Sequence, residues 1–360
     1  MEENLKFKIR RVFDKELEQE WIYLSKSSEI SIFQSFEWQY TWHKNINEIN
    51  NKDNLHIVSI YFGQKIIAII PFIKDECFKI KILTLTGFPF ADYCDCLIDQ
   101  NFFTQNQKVK YFIQEYLLKI KDIDLIKINK IKHGSNFFYL IDEKNFKEDN
   151  FKSYELIKNN ISEDIIPKKI ASDTKRQIRR LEEIGNLSFK IVKSEEDKKR
   201  IIDFFFEKKE EQLKVTNNWN YLKNKKNKNF IENINTFSDN SHLSCLLLNE
   251  KIIAAHLGYY WKNKMFYIFP VYDPNYSKFS PGNILLYYLI DKLFSESGKV
   301  FDFTTGDETY KTKISNKESK IFYSYTSLSI KGKIASSFLE ILNYLRKIKF
   351  FKTVYNKIKY

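Results

Sequence analysis

Hydrophobic residues in two stretches of the chain follow the pattern of a β-hairpin. Leu55–Lys74 and His242–Trp261 each consist of an apolar run, a short polar turn and a second apolar run. Apolar runs of this length on either side of a tight polar turn predict two antiparallel strands. Both turns lead into the same four residues, Lys-Ile-Ile-Ala, at Lys65–Ala68 and Lys251–Ala254. Such a repeat indicates that one structural unit occurs twice.

The residues around each hairpin predict the same order of elements, with helices before the hairpin and a strand, a helix and a strand after it. The pattern predicts these helices: Lys15–Ser25, Phe36–Ile46, Asn106–Ile120, Ser172–Ile184, Glu195–Leu213 and Gly282–Ser295. It predicts these further strands: Ile80–Thr86, Leu125–Lys130, Leu187–Val192, Lys264–Val271 and Lys299–Thr304. A polar link at Asp142–Asn150 separates the two sets. The sequence therefore predicts an α/β (α+β) protein with domains at residues 1–150 and 151–330 and a tail at 331–360.

Composition narrows the class of protein. The chain has 360 residues, of which 43% are hydrophobic, and this is enough for two packed domains. The net charge of +13 suits a phosphate-bearing ligand, a tRNA or an anionic membrane, but the lysines are spread along the chain and require none of these. No run approaches the ~20 apolar residues of a membrane span. The first residues lack the apolar core of a secretory signal, and we expect a cytoplasmic protein.

The four cysteines predict neither a disulfide framework nor a metal site. Cys77, Cys94, Cys96 and Cys245 lack the paired spacing of zinc ligands, and Cys94-x-Cys96 is one residue short of a CxxC motif. A reducing compartment fits this pattern. We therefore expect no metal.

The segment that begins at Tyr272 carries the main candidate for ligand binding. A predicted strand ends there, and Ser280-Pro281-Gly282-Asn283 opens the next helix. Helix N-termini bind anions, because free backbone N–H groups and the helix dipole both favour negative charge. Gly282 lets the backbone approach a phosphate closely, and Pro281 suits a first helical turn. An ordinary helix start without a ligand is the alternative.

Three segments resemble the GNAT-like acyltransferases of the CelD/BcsL kind, bacterial proteins associated with cellulose and exopolysaccharide synthesis and related to the FemAB peptidoglycan transferases. The first segment is Phe33-Gln34-Ser35-Phe36-Glu37-Trp38 with Trp42, and the second is Lys175-Arg176-Gln177-Ile178-Arg179-Arg180-Leu181 running to Gly185. The third runs from Tyr272-Asp273-Pro274 through Ser280-Pro281-Gly282 to Asp302-Phe303, Gly306 and Tyr310-Lys311. Together they bracket roughly residues 30–315, and their order and spacing match the family.

The resemblance implies tandem GNAT-like domains with mixed central sheets. It implies that the second domain binds acetyl-CoA or another acyl-CoA, with the pantetheine arm beside the central strand and the pyrophosphate at the next helix start. The residues that it assigns to the donor are Tyr272, Ser280, Pro281, Gly282 and Asn283. The loop departs from the general GNAT pattern, because only Gly282 remains of the usual Arg/Gln-x-x-Gly-x-Gly/Ala motif. The first domain has no Ser-Pro-Gly counterpart, and we interpret it as a degenerate copy that shapes the acceptor cleft.

Acyl transfer needs groups that accept a proton from the acceptor and protonate the leaving thiolate. The candidates for this chemistry are Tyr310, Asp302 and His256, and packing or a structural ion pair is the alternative for each. The candidates for substrate binding are Lys311, Glu308, Asp307 and the basic helix residues Lys175, Arg176 and Arg179, and ordinary solvated charges are the alternative. Asp302 is further expected to orient Lys311 or an arginine, since a buried carboxylate needs a partner.

The resemblance leaves three functions open. The first is transfer of an acyl group, acetyl above all, from acyl-CoA to an amine or hydroxyl of a sugar or other envelope or polysaccharide precursor. The second is a FemAB-like transfer from aminoacyl-tRNA, although the long helical-hairpin insertion of some FemAB proteins is not evident. The third is a non-catalytic accessory protein of a polysaccharide synthase. A nucleic-acid partner is expected only in the second case.

The tail Lys331–Tyr360 has a signal of its own. Its apolar residues recur at helical spacing, at Ile334, Phe338, Ile341, Leu345, Ile348 and Tyr355. Eight Lys and Arg residues stand against a single acid, Glu340. A basic amphipathic helix of this kind can lie on an anionic membrane surface, which would place the protein at the inner face of the membrane. The alternative is a helix packed on the second domain.

Overall fold

The computed structural model describes residues 4–47, 54–158, 165–215 and 220–347. The chain forms two compact units, one of residues 1–151 with 319–360 and one of residues 152–318. No helix among the described residues is long and apolar enough to cross a membrane.

The first unit has a mixed sheet with helices between its strands. Its strands are β1 (Leu5–Arg10), β2 (Leu55–Phe62), β3 (Lys65–Cys77), β4 (Ile80–Leu85), β5 (Leu97–Ile98), β6 (Leu125–Lys132) and β13 (Lys317–Ser327). Its helices are α1 (Lys15–Ser27), α2 (Phe36–Trp42), α3 (Gln100–Gln105), α4 (Val109–Leu118), α5 (Asn136–Leu140) and α11 (Ile330–Lys347). The strand order is β1-β2-β3-β4-β6-β13, and β5 also pairs with β3. Only the β4–β6 pair is parallel among these described pairs.

The second unit has the same arrangement. Its strands are β7 (Lys147–Ile157), β8 (Leu187–Val192), β9 (Ser241–Leu248), β10 (Lys251–Trp261), β11 (Lys264–Tyr272) and β12 (Val300–Thr305). Its helices are α6 (Lys168–Glu182), α7 (Glu195–Val215), α8 (Lys225–Phe237), α9 (Pro281–Ser295) and α10 (Thr309–Ile314), with a 3-10 helix at Pro274–Phe279. The strand order is β8-β9-β10-β11-β12-β7, in which β11 and β12 are parallel.

The two hairpins agree residue by residue, as the predicted repeat of one structural unit requires. Each hairpin has a two-residue turn, after which Lys65 pairs with Phe62 and Lys251 pairs with Leu248. Each then has a bulge at the same place, which leaves Ile67 in one and Ile253 in the other out of the pairing register. A bulge bends and twists a strand at a fixed point, so sharing it indicates the same local geometry.

The core of the second unit forms where α9 packs on the sheet. Leu285, Leu289 and Leu293 of this helix are at most 5% exposed and pack against residues such as Phe301 and Phe303. Each fully buried side chain of this size contributes about 1.5–3 kcal/mol to folding. This packing holds the first turn of α9 in a fixed place beside the end of β11.

Several predicted boundaries differ from the structure. The predicted helix Asn106–Ile120 is shorter in the structure, where α4 spans Val109–Leu118, and a separate helix that was not predicted, α3, precedes it. The predicted second domain extended to residue 330, but residues 319–327 belong to β13, which pairs with β6 of the first unit. The tail helix α11 also belongs to the first unit and not to the second. Its predicted apolar positions Ile348 and Tyr355 lie outside the described residues.

Candidate active site

Strands β11 and β12 part from each other partway along their length. They pair only at Lys264–Val300, Met265–Phe301 and Phe266–Asp302 among the described residues. Beyond Phe266, β11 continues to Tyr272 on β10 alone, while the end of β12 pairs with β7. A strand edge of this kind offers backbone N–H and C=O groups to an extended ligand. Beyond Phe266, β11 therefore has no strand partner on its β12 side among the described residues.

The start of α9 follows directly from the end of β11. Ser280 caps the helix in a left-handed conformation, with φ of 53°. Its carbonyl accepts from the N–H groups of Asn283 and Ile284 at 3.0 and 3.2 Å, and Pro281 has no N–H. No backbone acceptor is described for the Gly282 N–H, which is thus the donor at this helix end. A Cβ at Gly282 would meet only Tyr272 within 4 Å, at 3.5 Å, so the backbone is open to a ligand here.

Asp273 sets the direction of the chain between β11 and α9. Its carboxylate accepts from the Asn275 N–H at 3.0 Å and lies 3.3 Å from the Lys251 ammonium. Its own N–H donates to the Ile253 carbonyl at 2.9 Å. The side chain is fully buried, whereas Lys251 is mostly exposed. This side chain thus ties the strand end to the hairpin and caps the 3-10 helix that leads to Ser280.

The loop after β12 places an ion pair between a buried lysine and an exposed glutamate at the same end of the sheet. The Lys311 ammonium lies 3.0 Å from the Glu308 carboxylate and donates to the Thr305 carbonyl at 2.7 Å. Gly306 has φ of +148°, and a Cβ there would stand 2.1 Å from Glu308 Oε2 and 2.6 Å from Lys311 Nζ. The backbone angle favours glycine at this position, and a Cβ would displace the ends of the Glu308 and Lys311 side chains.

Three aromatic rings connect this loop with the sheet. Tyr310 packs edge-on against Tyr267 of β11 and Phe303 of β12, with ring centroids 6.3 and 6.2 Å apart. Burial, followed by the charge effects of Tyr267 and Glu308, raises the pKa of Tyr310 well above its ordinary value. Its hydroxyl is therefore neutral and able to donate a hydrogen bond across the physiological pH range.

Residues 168–312 match the model of an acetyltransferase (GNAT) domain. This part of the chain is similar to GNAT acetyltransferases, and the predicted GNAT-like fold is confirmed. The match includes the parted strands, the α9 start and the Glu308–Lys311 loop.

Comparison with solved structures supports the same fold over most of the chain. FemX has 10% sequence identity, covers 88% of this chain and 96% of its own, and has a TM-score of 0.57. L-PGS from Bacillus licheniformis has 11% identity, 90% and 96% coverage and a TM-score of 0.52. A conserved protein of unknown function from Bacteroides thetaiotaomicron has 10% identity, 89% and 100% coverage and a TM-score of 0.50. The comparison with curated proteins finds no significant match.

His256 lies behind the site in the GNAT-like domain and is fully buried. Its ring stacks on Tyr267 with centroids 4.4 Å apart, and it lies so close to Gly258 that a Cβ there would be 2.1 Å from Cε1. Neither ring nitrogen has a hydrogen-bond partner among the described residues. Burial lowers the pKa of His256 well below its ordinary value, so the ring is neutral. Among the described residues, the ring contact of this predicted base is with Tyr267 of β11.

Asp302 does not orient Lys311, since that lysine pairs with Glu308. The Asp302 carboxylate accepts from the N–H of Thr304 at 2.7 Å and is buried on β12. Thr304 has φ of +60°, a conformation that needs local support in a β-branched residue. Asp302 thus helps to shape the end of β12. Asp307 is exposed in the same loop, close in sequence to Glu308.

The basic helix α6 approaches the α9 start through one arginine. The Arg180 guanidinium lies 5.2 Å above the ring of Phe279, the residue before Ser280. The predicted ligand residues Lys175, Arg176 and Arg179 are all exposed on this helix. Arg176 forms an ion pair with Asp173 at 3.2 Å. Arg180 is therefore the α6 side chain that the structure places beside the predicted phosphate loop.

Lys175 faces a different feature of the GNAT-like domain. It lines a cavity of about 340 Å³, together with Lys158 and residues of the C-terminal half of α9 such as Tyr287, Asp291 and Ser295. The start of α9 is not part of this lining. Lys175 is thus separated in the structure from Gly282.

Lys209 lies beside β11 and is a candidate that the sequence did not reveal. Its ammonium approaches the Pro270 carbonyl of β11 at 3.5 Å and donates to Gln212 Oε1 at 3.1 Å. Burial lowers the pKa of Lys209 to about 8, although the Glu308 carboxylate raises it in part. Lys209 lies within the polar run Glu207–Gln212, which reads as an exposed helix face, so only the tertiary structure reveals it.

The described residues contain no group of three His, Cys, Asp or Glu side chains that could hold a metal ion. The polar groups near the ends of β11 and β12 are the Lys209 amine, the Tyr310 hydroxyl and the Glu308–Lys311 ion pair. These groups can handle protons and stabilise charge without a metal ligand set.

Proposed function

We propose that this protein transfers an acyl group from acyl-CoA to an amine or hydroxyl of a small acceptor. The observations that carry the proposal are the separation of β11 from β12 beyond Phe266 and the Gly282 N–H, for which no backbone acceptor is described, at the start of α9. An extended pantetheine arm suits the free edge of β11, and a pyrophosphate suits the helix N-terminus. Arg180 adds a positive charge next to that N-terminus.

Lys209 is the group best suited to take the acceptor's proton. A lysine with a pKa of about 8 is partly neutral near physiological pH and can accept a proton at Nζ. The Glu308 carboxylate stabilises the ammonium that forms, because it already raises the pKa of Lys209. Tyr310 is the counterpart, since its neutral hydroxyl can donate a hydrogen bond to the leaving sulfur. Lys311 holds Glu308 and the Thr305 carbonyl in place.

The acceptor that we propose is a sugar or another precursor of an envelope polysaccharide, and the acyl group is acetyl. This part of the proposal rests on the resemblance of residues 280–311 to the CelD/BcsL kind. It also predicts a protein that works in the cytoplasm, where acetyl-CoA is available. A survey of amino sugars and nucleotide sugars as acceptors, with release of free CoA thiol as the readout, tests the acceptor class.

A second candidate is an aminoacyl-tRNA-dependent transferase of the FemAB kind. The similarity in fold to FemX, over 96% of that chain, favours it. Thermal unfolding in the presence of acetyl-CoA, CoA or aminoacyl-tRNA separates the two donors. Stabilisation by acetyl-CoA and not by tRNA is expected, whereas the reverse result would replace the first proposal with the second. A protein stabilised by neither would favour a non-catalytic accessory role at a polysaccharide synthase.

A further inference from the structure

Helix α11 is attached to the first unit by its polar side. Glu340 accepts from the Tyr323 hydroxyl at 3.0 Å, and Asn343 donates to the Tyr325 hydroxyl at 2.9 Å. At the start of the helix, Gly332 packs so closely that a Cβ there would stand 1.8 Å from the Asp124 carbonyl oxygen. The orientation of the helix on β13 is therefore set by hydrogen bonds and a close backbone contact.

The opposite side of α11 presents apolar side chains to solvent. Five large hydrophobic residues on this side are between 56 and 83% exposed: Ile330, Ile334, Phe338, Ile341 and Tyr344. Their spacing of three or four residues places them on one stripe of the helix. Single exposed apolar residues are common on soluble proteins, but a continuous patch usually marks an interaction surface. We call these five residues the outer stripe.

Two exposed lysines flank the outer stripe. Lys331 and Lys333 are exposed, and at about 3.6 residues per turn they fall on opposite sides of the stripe. The one acid of the helix, Glu340, turns towards the first unit, where it pairs with Lys147 at 2.8 Å. Residues 348–360 add four more lysines and no acid to the sequence. The outer stripe is thus apolar along its centre and basic along its margins.

We propose that α11 docks on the surface of a lipid bilayer that contains anionic headgroups. The helix would lie parallel to the surface, with the outer stripe among the upper acyl chains and Lys331 and Lys333 at the phosphates. A second copy of this chain is the less suitable occupant, because a net charge of +13 makes two copies repel each other and attracts each to anionic lipid. The proposal does not depend on the donor or the acceptor of the proposed function.

Flotation of the full-length protein with vesicles tests this surface. We expect binding to vesicles of phosphatidylglycerol mixed with phosphatidylcholine at low salt, and little binding to phosphatidylcholine alone. Phe338→Asn should weaken binding about tenfold, since it removes one large side chain from the bilayer. Ile334→Asn is a second variant of the same kind. Both side chains are mostly exposed, so the melting temperature should hardly change.

Phe78 provides a matched control for the loss of an exposed ring. It is 95% exposed in the turn between β3 and β4, and its φ of 49° is a conformation that asparagine accepts. Phe78→Asn should leave vesicle binding unchanged. Replacing Lys331 and Lys333 with glutamine should weaken binding about fivefold for each lysine at low salt, and this effect should shrink at high salt.

Several results would overturn the proposal. One is that the full-length protein does not float with phosphatidylglycerol vesicles at low salt. Another is a Phe338→Asn variant that binds as tightly as the unchanged protein. A third is a doubled mass in solution that Phe338→Asn restores to that of a monomer, which would identify a second copy as the occupant. Deletion of the helix is a poorer test, because Gly332 packs on Asp124 and its loss would uncover the first unit.

Discussion

The ammonium of Lys251 lies 3.3 Å from the buried carboxylate of Asp273. The first unit repeats this relationship, with Lys65 at 2.6 Å from Asp99. Both carboxylates also cap the helix that follows, and both backbone N–H groups donate to the bulged isoleucine of the hairpin. Duplication has therefore preserved a structural device in both units, while only the second unit connects it to the Ser280–Gly282 loop.

Replacing Asp273 with alanine should separate this structural role from the ligand role. The variant loses a helix cap and leaves Lys251 without its partner, which should lower the free energy of unfolding by about 1–2 kcal/mol. Most of this loss comes from the cap, since Lys251 is largely exposed and its charge is screened. Acyl-CoA affinity should fall as well, because the loop before Ser280 loses its support. Urea unfolding and calorimetric titration measure the two effects.

Asp99→Ala is the matched control, because the first unit carries the same cap and ion pair without the loop. We expect a similar loss of stability and no change in acyl-CoA affinity. Equal affinities for the unchanged protein and Asp273→Ala would show that the 3-10 helix does not position the donor site.

Gly282→Asp should weaken acyl-CoA binding at least about tenfold. A carboxylate at the start of α9 would occupy the open space at this position and repel the pyrophosphate. Gly282→Ala is the control for size alone, since its Cβ would make only an ordinary 3.5 Å contact with Tyr272. Calorimetric titration with CoA compares the three proteins. An unchanged CoA affinity in a folded Gly282→Asp variant would remove the pyrophosphate role.

Lys209→Met should lower kcat by about 100-fold or more, since it removes the proposed proton acceptor. In the unchanged protein the rate should rise with pH through about 8, as Lys209 loses its proton. This limb of the pH–rate profile should vanish in Lys209→Met. Lys209→Arg keeps the positive charge but cannot release the proton at these pH values. An arginine variant with full activity would show that Lys209 holds an anion instead.

Replacing Lys209 with methionine should raise the stability of the fold while it lowers activity. Burial lowers its pKa from 10.5 to about 8, so the folded state disfavours the charged amine. Lys209 therefore lowers the free energy of unfolding, and this effect is fully present below pH 8. The effect disappears as pH rises towards 10.5, because the lysine of the unfolded state is then neutral as well. We therefore expect Lys209→Met to raise the melting temperature at pH 7 and to have little effect at pH 10.5. A lower melting temperature at pH 7 would contradict this assignment.

Gly306→Ala should disrupt the Glu308–Lys311 ion pair, because the new Cβ would stand 2.1 Å from the Glu308 carboxylate. We expect a fall in kcat together with a loss of about 1–3 kcal/mol of stability from the strained backbone. Gly63→Ala is a control for backbone strain, since its φ is +62° and nothing lies within 4 Å of its Cβ. Steady-state kinetics on both variants should show a loss of activity only for Gly306→Ala.

Local signals in the sequence predict the helix start at Ser280–Gly282 and both hairpins correctly. A proline at the first helical turn and a polar two-residue turn act over a few residues, so neighbouring positions carry the information. The sequence offers Asp302 as one possible partner of Lys311, but the structure pairs Lys311 with Glu308. Glu308 takes that place because the short helix α10 turns the lysine back over Gly306, and a residue count alone does not reveal this turn.

The sequence by itself determined the repeated hairpins, most helices and strands, and the loop that offers Gly282. Each depends on hydrophobic periodicity or turn chemistry within about ten residues. Only the tertiary structure decided that β13 pairs with β6 in the first unit and that β11 and β12 stop pairing beyond Phe266. It also decided that His256 is buried and stacks on Tyr267. It further decided that Lys209 is partly buried while the outer stripe of α11 is exposed. These outcomes depend on which distant segments pack together, because burial and strand pairing are properties of the whole fold.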